Sequence, residues 1–357
     1  MSLNVLIPYH IANLALVGAL LLMLRPNAAA APTRRTFYVF IALGAAIVIL
    51  IIAAGALHID PYEAAQLPVA SLLGYGTLLF GGLAALYRRT RWIMGSCILM
   101  VFVLLAIAVD AFLIEPHWLE VTTVTLRSPK VMEPLRIAVL ADIQTDRAGA
   151  YEARVMAEVL RAQPDLILFA GDYLHLSRRS RGYAAEMGAL NEVLTDAGLS
   201  APLGMIAVMG NMDRHYDWPQ LFAGLPLTRA QTTTRYDLGP VALTALGMRE
   251  SFNADIRVPP ADDFHIVLGH SPNFALGDVD ADLLLAGHTH GGQIPAFLRA
   301  PVMLLVGFPR ISAAHIAEIA PGKTLIISRG IGMERGAAPQ MRFLCRPELV
   351  IVDVLPQ

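Results

Sequence analysis

The sequence predicts an N-terminal four-helix transmembrane bundle followed by an α/β domain. Three observations predict it. Hydrophobic residues make up 55% of the chain and charged residues only 16%, too apolar a balance for an ordinary soluble protein. The apolar excess lies in the first third, in four long stretches. Beyond it, five apolar runs each lead into a polar residue beside a glycine. That is how buried strands of an open α/β sheet deliver side chains to one rim.

The four apolar stretches cover about residues 3–24, 37–57, 68–87 and 92–114. Each is close to the roughly 20 residues that a helix needs to cross a bilayer. The first lacks the basic start of a removable signal peptide, and three more follow it. Arg25, Arg34 and Arg35 separate the first two stretches, and Arg88, Arg89 and Arg91 separate the last two. The loop between the second and third holds His58, Asp60 and Glu63 but no Lys or Arg. Basic loops stay in the cytoplasm, so both termini and the α/β domain are expected outside. Arg127 and Lys130, after the fourth stretch, argue mildly the other way. His10 and Asp110 fall near span ends and read as interfacial. A formal charge of −2 offers nucleic acid no electrostatic footing. Cys97 in a span and Cys345 near the end of the chain are not expected to form a disulfide.

The expected organisation is a transmembrane domain over residues 1–115, a connector over 116–134 and a globular domain over 135–357. In the connector, residues 121–126 are rich in β-branched side chains and read as a strand. Residues 135–141 are a nearly continuous apolar run, typical of a strand covered on both faces. Residues 150–162 have helical spacing, with Val155, Val159 and Leu160 on one face and Pro164 as the stop. A strand over 165–170, a helix over 183–194 and a strand over 205–209 follow. This alternation implies parallel central strands. Strand-like pieces over 232–237 and 241–246, joined by Gly239-Pro240, suggest a second sheet of mixed pairing. The apolar stretch 297–308 is too short to span a bilayer; it reads as a core strand or packed loop, or as a lip dipping into the membrane.

The polar residues that end the strands are Asp142, Asp172, Asn211, His270, His288 and His290. Two carboxylates, an amide and three imidazoles at strand ends could surround one hole. Without thiolates, this set suits Mn, Fe or Zn in a non-structural site. Two ions roughly 3.5–4 Å apart can clamp both oxygens of a phosphoryl displacement and acidify a bound water.

The series Asp142-Ile143-Gln144, Gly171-Asp172, Gly210-Asn211-Met212-Asp213, Gly269-His270 and Gly287-His288-Thr289-His290 resembles the calcineurin-like metallophosphoesterase superfamily. Three further pieces are similar to its membrane-associated YkuE/YaeI-like branch: His288-Thr289-His290-Gly291-Gly292-Gln293, Ser328-Arg329-Gly330-Ile331-Gly332, and Arg346-Pro347-Glu348. The resemblance covers roughly residues 135–357. It implies a two-sheet β sandwich flanked by helices and a metal-dependent phosphoric ester hydrolase. It also implies two divalent ions, among Mn, Zn, Fe and Mg, with Mn favoured. Asp142 and His290 would bind the first ion, Asp172 would bridge both, and Asn211, His270 and His288 would bind the second. Catalytic roles would fall to Asp172, Asn211 and His270, with Asn211 also meeting the substrate.

Two positions depart from the family pattern, which has His at both. Gln144 could still coordinate through its amide oxygen, or His175, three residues after Asp172, could substitute. Met212 cannot pass a proton to a leaving group, which favours a leaving group that is already acidic; His215 is a nearby alternative donor. Asp213 is expected to orient its neighbours. Arg329 reads equally as a phosphate contact and as an ion-pair partner of Glu348 or Glu334.

The function these features imply is a membrane-anchored phosphoesterase. It would act on a phosphoester or pyrophosphate bond of a lipid-linked substrate, with its catalytic domain on the periplasmic side of a bacterial inner membrane. The bilayer and a phosphorylated lipid are the expected partners. Two other readings stay open: a phosphodiesterase acting on a soluble nucleotide, and a catalytically weak metal-binding membrane sensor.

Overall fold

The computed structural model describes residues 3–25, 61–176, 181–295, 316–334 and 339–357, with scattered positions between 38 and 52. The expected second span is described only at those scattered positions, and the apolar stretch 297–308 lies outside the described residues. The chain divides into two compact units, and the main break falls between Ile114 and Glu115.

The first unit is helical. Helix α1 (Leu3–Met23) carries no Asp, Glu, Lys or Arg. Helix α2 (Pro61–Ser71) runs through a π-helical turn (Leu72–Gly76) into α3 (Thr77–Leu86). Helix α4 (Arg91–Val109) ends in a second π turn (Asp110–Ile114). Among the described residues, three segments are long and apolar enough to cross a membrane: Leu6–Met23, Gln66–Leu86 and Arg91–His117. Their outer faces expose Ile11, Leu14, Leu99, Phe102 and Leu113, whereas a helix of a water-soluble domain presents polar residues outward. The Tyr9 hydroxyl donates to the Leu67 carbonyl at 3.2 Å and meets Ser71 Oγ at 2.7 Å, tying α1 to α2 by polar contacts between apolar helices.

The second unit is built on two six-stranded sheets. The first has the spatial order β1 (Glu120–Ser128), β14 (Glu348–Pro356), β2 (Leu135–Leu140), β3 (Leu166–Phe169), β4 (Met205–Val208) and β5 (Leu227–Ala230). Strands β2 to β5 are parallel; β14 runs antiparallel to β2 and parallel to β1. Helices α5 (Ala150–Ala162) and α6 (Tyr183–Asp196) make the crossovers that parallel neighbours require. The second sheet has the order β12 (Ile316–Ala320), β13 (Lys323–Ile327), β11 (Leu283–Ala286), β9 (Phe264–Leu268), β7 (Val241–Ala245) and β6 (Thr234–Asp237). Its four central strands are parallel and its two edge strands antiparallel. Two-residue strands β8 (Arg257–Val258) and β10 (Asp278–Val279) pair separately.

Alternation along each strand assigns its side chains to layers. Ile137, Val139, Leu168 and Val208 of the first sheet pack with Leu243, Ile266, Leu268 and Leu285 of the second. The intervening Ala138, Leu140, Ile167 and Phe169 face the other way and pack on Val155, Met156 and Val159 of α5 and Leu190 and Leu194 of α6. Both faces of β2, β3 and β4 are therefore covered, which explains why they read as apolar runs rather than alternating strands. Helix α5 departs from the expected face in one position. Met156 is fully buried and Leu160 is 39% exposed, because the helix meets the sheet through Val155, Met156 and Val159.

Candidate metal centre

The ends of β2, β3, β4, β9 and β11 bring their polar residues to one rim. Each chain turns sharply there. Asp142, Asp172, His288 and His290 all have positive φ, at 48°, 56°, 70° and 49°. Left-handed backbone is uncommon for residues other than glycine and clusters at functional sites. The turns are held by backbone bonds between neighbouring strand ends. Asp142 N donates to the Gly171 carbonyl at 3.0 Å, and Gly287 N donates to the His270 carbonyl at 2.9 Å.

The side chains converge. His270 Nε2 lies 3.3 Å from Asp172 Oδ2 and 2.9 Å from Asn211 Oδ1, and its Nδ1 lies 3.7 Å from Asp142 Oδ1. The His270 and His288 rings are 4.9 Å apart, and the Phe252 ring packs edge-on against His288 at 4.9 Å. Ligand atoms of Asp172, His270 and His288 all lie within 4.8 Å of one another. Asp142, Asp172 and His270 are almost wholly buried, while Asn211 is exposed at the mouth. His290 is buried in the short turn His290–Gly292, and its carbonyl accepts from Cys345 Sγ at 3.4 Å.

Other groups hold these in place. His270 Nδ1 is 2.8 Å from the Ala170 carbonyl, an acceptor, so Nδ1 carries the proton and Nε2 faces the carboxylates. Asp142 accepts from His288 N at 2.9 and 3.1 Å, and Asp172 Oδ1 accepts from Met212 N at 2.8 Å. Asp213 accepts the backbone N–H groups of Asp172 at 2.7 Å, Gly210 at 2.8 Å and Tyr173 at 3.0 Å. It therefore orients two of the loops. Gly210 is required by space: a Cβ there would sit 2.0 Å from Asp172 Oδ1.

The electrostatics follow from burying opposite charges together. Burial alone would lower the His270 pKa, but the Asp172 and Asp142 carboxylates lift it to about 9. Burial and the neighbouring His270 push His288 down to about 4. Burial would raise Asp172, but His270 and the Met212 N–H hold it below the usual carboxylate range. Two buried carboxylates and two imidazoles meeting at one rim are a donor set suited to a cation. Carboxylate and imidazole without thiolate fit a divalent cation such as Mn, Zn or Fe.

The remaining candidates separate. Gln144 Nε2 lies 3.4 Å from Asp172 Oδ2, so Gln144 joins the cluster. His175 stands beside Glu334, with Nδ1 3.6 Å from Oε1. Arg329 is bound up in structure: its guanidinium meets Glu348 at 2.8 Å and Glu120 at 3.0 Å. This is the ion-pair alternative, with Glu348 as the expected partner and Glu120 as a second. Arg346 stacks its guanidinium 3.5 Å over the Trp118 ring. His265 bonds Thr244 and the Asp280 carbonyl within the second sheet. His215 lines an open cavity of about 510 Å³ with Arg214, Met248 and Arg249, bordered by Asp213. Glu334 also reaches this cluster, and its only mark in the sequence is an acidic residue two positions beyond the Gly330-Ile331-Gly332 string.

A rim of carboxylates and imidazoles on a two-sheet α/β sandwich defines a metal-dependent phosphoester hydrolase. Residues 135–292 match the calcineurin-like phosphoesterase family. The chain is 28% identical over 258 residues to a protein of Escherichia coli named phosphodiesterase YaeI, covering 68% of this chain and 90% of the relative. It is 27% identical over 258 residues to the uncharacterized metallophosphoesterase YkuE of Bacillus subtilis, covering 67% of this chain and 86% of the relative. A protein of Chlamydia muridarum named UDP-2,3-diacylglucosamine pyrophosphatase LpxG is 23% identical over 311 residues, covering 68% of this chain and 91% of its own. The family implies divalent metal ions.

Proposed function

We propose that the chain is a membrane-anchored phosphoesterase that hydrolyses a phosphoester or pyrophosphate bond of a lipid-linked substrate, using two divalent ions. The observation that carries this reading is the convergence of Asp172, His270 and His288 within 4.8 Å, beside Asp142 and Asn211. Asp142 and His290 would hold one ion, Asp172 both, and Asn211, His270 and His288 the other, with manganese preferred. When bound, such ions acidify water and neutralise charge on phosphoryl oxygens.

The chain's own residues do the rest. The Ala170 carbonyl fixes the His270 tautomer, and Met212 N fixes the Asp172 carboxylate. Asn211, exposed at the mouth, would meet a substrate oxygen. Met212 offers its backbone N–H to Asp172 but no titratable side chain to a leaving group. That favours a leaving group stable as an anion, such as a phosphate. The three apolar helices support membrane attachment. We extend them to four spans, with the globular domain over residues 135–357 on the periplasmic side of a bacterial inner membrane, on the arginine distribution. The relative named UDP-2,3-diacylglucosamine pyrophosphatase, whose name carries two acyl chains, supports a lipid-linked substrate.

The test is a purified, detergent-solubilised full chain with Mn²⁺. Turnover of bis-p-nitrophenyl phosphate and of a lipid-linked pyrophosphate, abolished by Asp172→Ala, is the expected result. Activity confined to soluble nucleotides would replace the lipid assignment. No turnover with any divalent ion would leave a metal-binding sensor. A C-terminal topology reporter active only in the cytoplasm would overturn the periplasmic placement.

A further inference from the structure

The family's histidine two residues after Asp142 is Gln144 here, and the structure shows what stands behind it. The Gln144 amide nitrogen lies 3.1 Å from Glu334 Oε2 and 3.4 Å from Asp172 Oδ2, so one amide bridges two carboxylates. On its far side, Glu334 Oε1 lies 3.6 Å from His175 Nδ1. The Glu334 side chain is 22% exposed. Two acidic groups, Asp172 and Glu334, thus flank one amide at this corner of the rim. Bringing like charges together with little water is costly unless a cation joins them.

Glu334 is delivered there by a locked segment. Ile331 N donates to the Ala141 carbonyl at 2.9 Å, and Gly332 N donates to the Asp142 carbonyl at 2.7 Å. The approach is so close that a Cβ on Gly332 would sit 2.1 Å from the Ile143 carbonyl oxygen. The Glu334 N–H is then anchored on Gln293 Oε1 at 3.1 Å, in the loop that follows His290. The residue is held from both the Asp142 turn and the His290 turn, which carry the expected ligands of the first ion.

We propose that Glu334 is a ligand of that first ion, its carboxylate taking the place of the missing histidine, with Gln144 and His175 orienting it. This rests on the two-ion reading above. An anionic oxygen exchanged for an imidazole makes the donor set harder. Carboxylate sites suit Mn and Mg, while imidazole suits Zn. The first site therefore prefers Mn²⁺ or Mg²⁺ to Zn²⁺.

The test is metal content and affinity of the full detergent-solubilised chain, read by elemental analysis after gel filtration and by titration with free Mn²⁺ followed by paramagnetic resonance. The wild type should hold two Mn²⁺ per chain. Glu334→Gln should hold one, with the weaker dissociation constant raised at least about tenfold, the range seen even for partners one shell further out. Gln144→His combined with Glu334→Gln should restore the second ion and shift its preference toward Zn²⁺. An unchanged melting temperature of metal-free Glu334→Gln shows that the chain still folds. Two ions of wild-type affinity in Glu334→Gln overturn the proposal and leave the two-ion reading intact. One ion in the wild type overturns both.

Discussion

Replacing Gly210 by Ala tests whether the Asp172 carboxylate is positioned as tightly as the turn geometry demands. The added Cβ would lie 2.0 Å from Asp172 Oδ1, 2.6 Å from its Cγ and 2.6 Å from its backbone nitrogen. Ordinary contact needs about 3.4 Å, so the carboxylate or the turn must move by roughly 1 Å or more. Backbone atoms cannot swing aside as a flexible side-chain tip can. Asp213 pins both turns by accepting from Gly210 N at 2.8 Å and Asp172 N at 2.7 Å, so the strain cannot be relieved by sliding one past the other. Forced overpacking of this kind costs about 1–3 kcal/mol in stability. A misplacement of about 1 Å at a reacting centre costs about 10²-fold in rate. The assay is Mn²⁺-dependent hydrolysis of bis-p-nitrophenyl phosphate, with thermal unfolding alongside. The expected result is a fall of about 10²-fold in kcat/KM together with a lower Tm. A Gly210→Ala chain with wild-type kcat/KM would refute the idea that Asp172 must sit where the structure puts it.

Further outcomes follow from the same geometry. Arg329→Met should destabilise the domain by about 3 kcal/mol, because removing one partner leaves Glu348 buried and uncompensated; urea unfolding measures it, and kcat/KM should change little if Arg329 is structural. Burial alone would raise the Glu348 pKa, but the Arg329 hydrogen bond and charge lower it below the ordinary value. The unfolded chain then binds the extra proton first, so this contribution is complete above the ordinary glutamate pKa and is lost as pH falls through the lowered folded value. The stability of Arg329→Met should accordingly depend less on pH in that acid window. Removing divalent metal by chelation should abolish hydrolysis and lower Tm; restoring an ion at 100 times its dissociation constant should return about 2.7 kcal/mol.

Much of this architecture could be read before any coordinates. Strands β2, β3 and β4 were legible because sheets covered on both faces demand unbroken apolar runs, and their glycine turns were visible for the same local reason. The role of Asp213 was anticipated from its place beside Asn211, although its three backbone donors were not. Helix α5 is legible as a helix but its buried face is not, because Met156 and Leu160 are equally apolar and only the sheet decides which is covered. Arg329 could not be assigned from its neighbours in the chain, since one of its partners, Glu120, is 209 residues away.

The sequence alone determined which polar residues end the strands, the order of those strands along the chain and the presence of long apolar helices. Each of these is written in residue type and short-range period. Which loops share a corner of the rim was decided by tertiary structure. The bond between Gln144 and Glu334 joins residues 190 positions apart. No local pattern records that distance, because it exists only once two sheets have packed and a glycine has let the 330–334 segment close on the Asp142 turn.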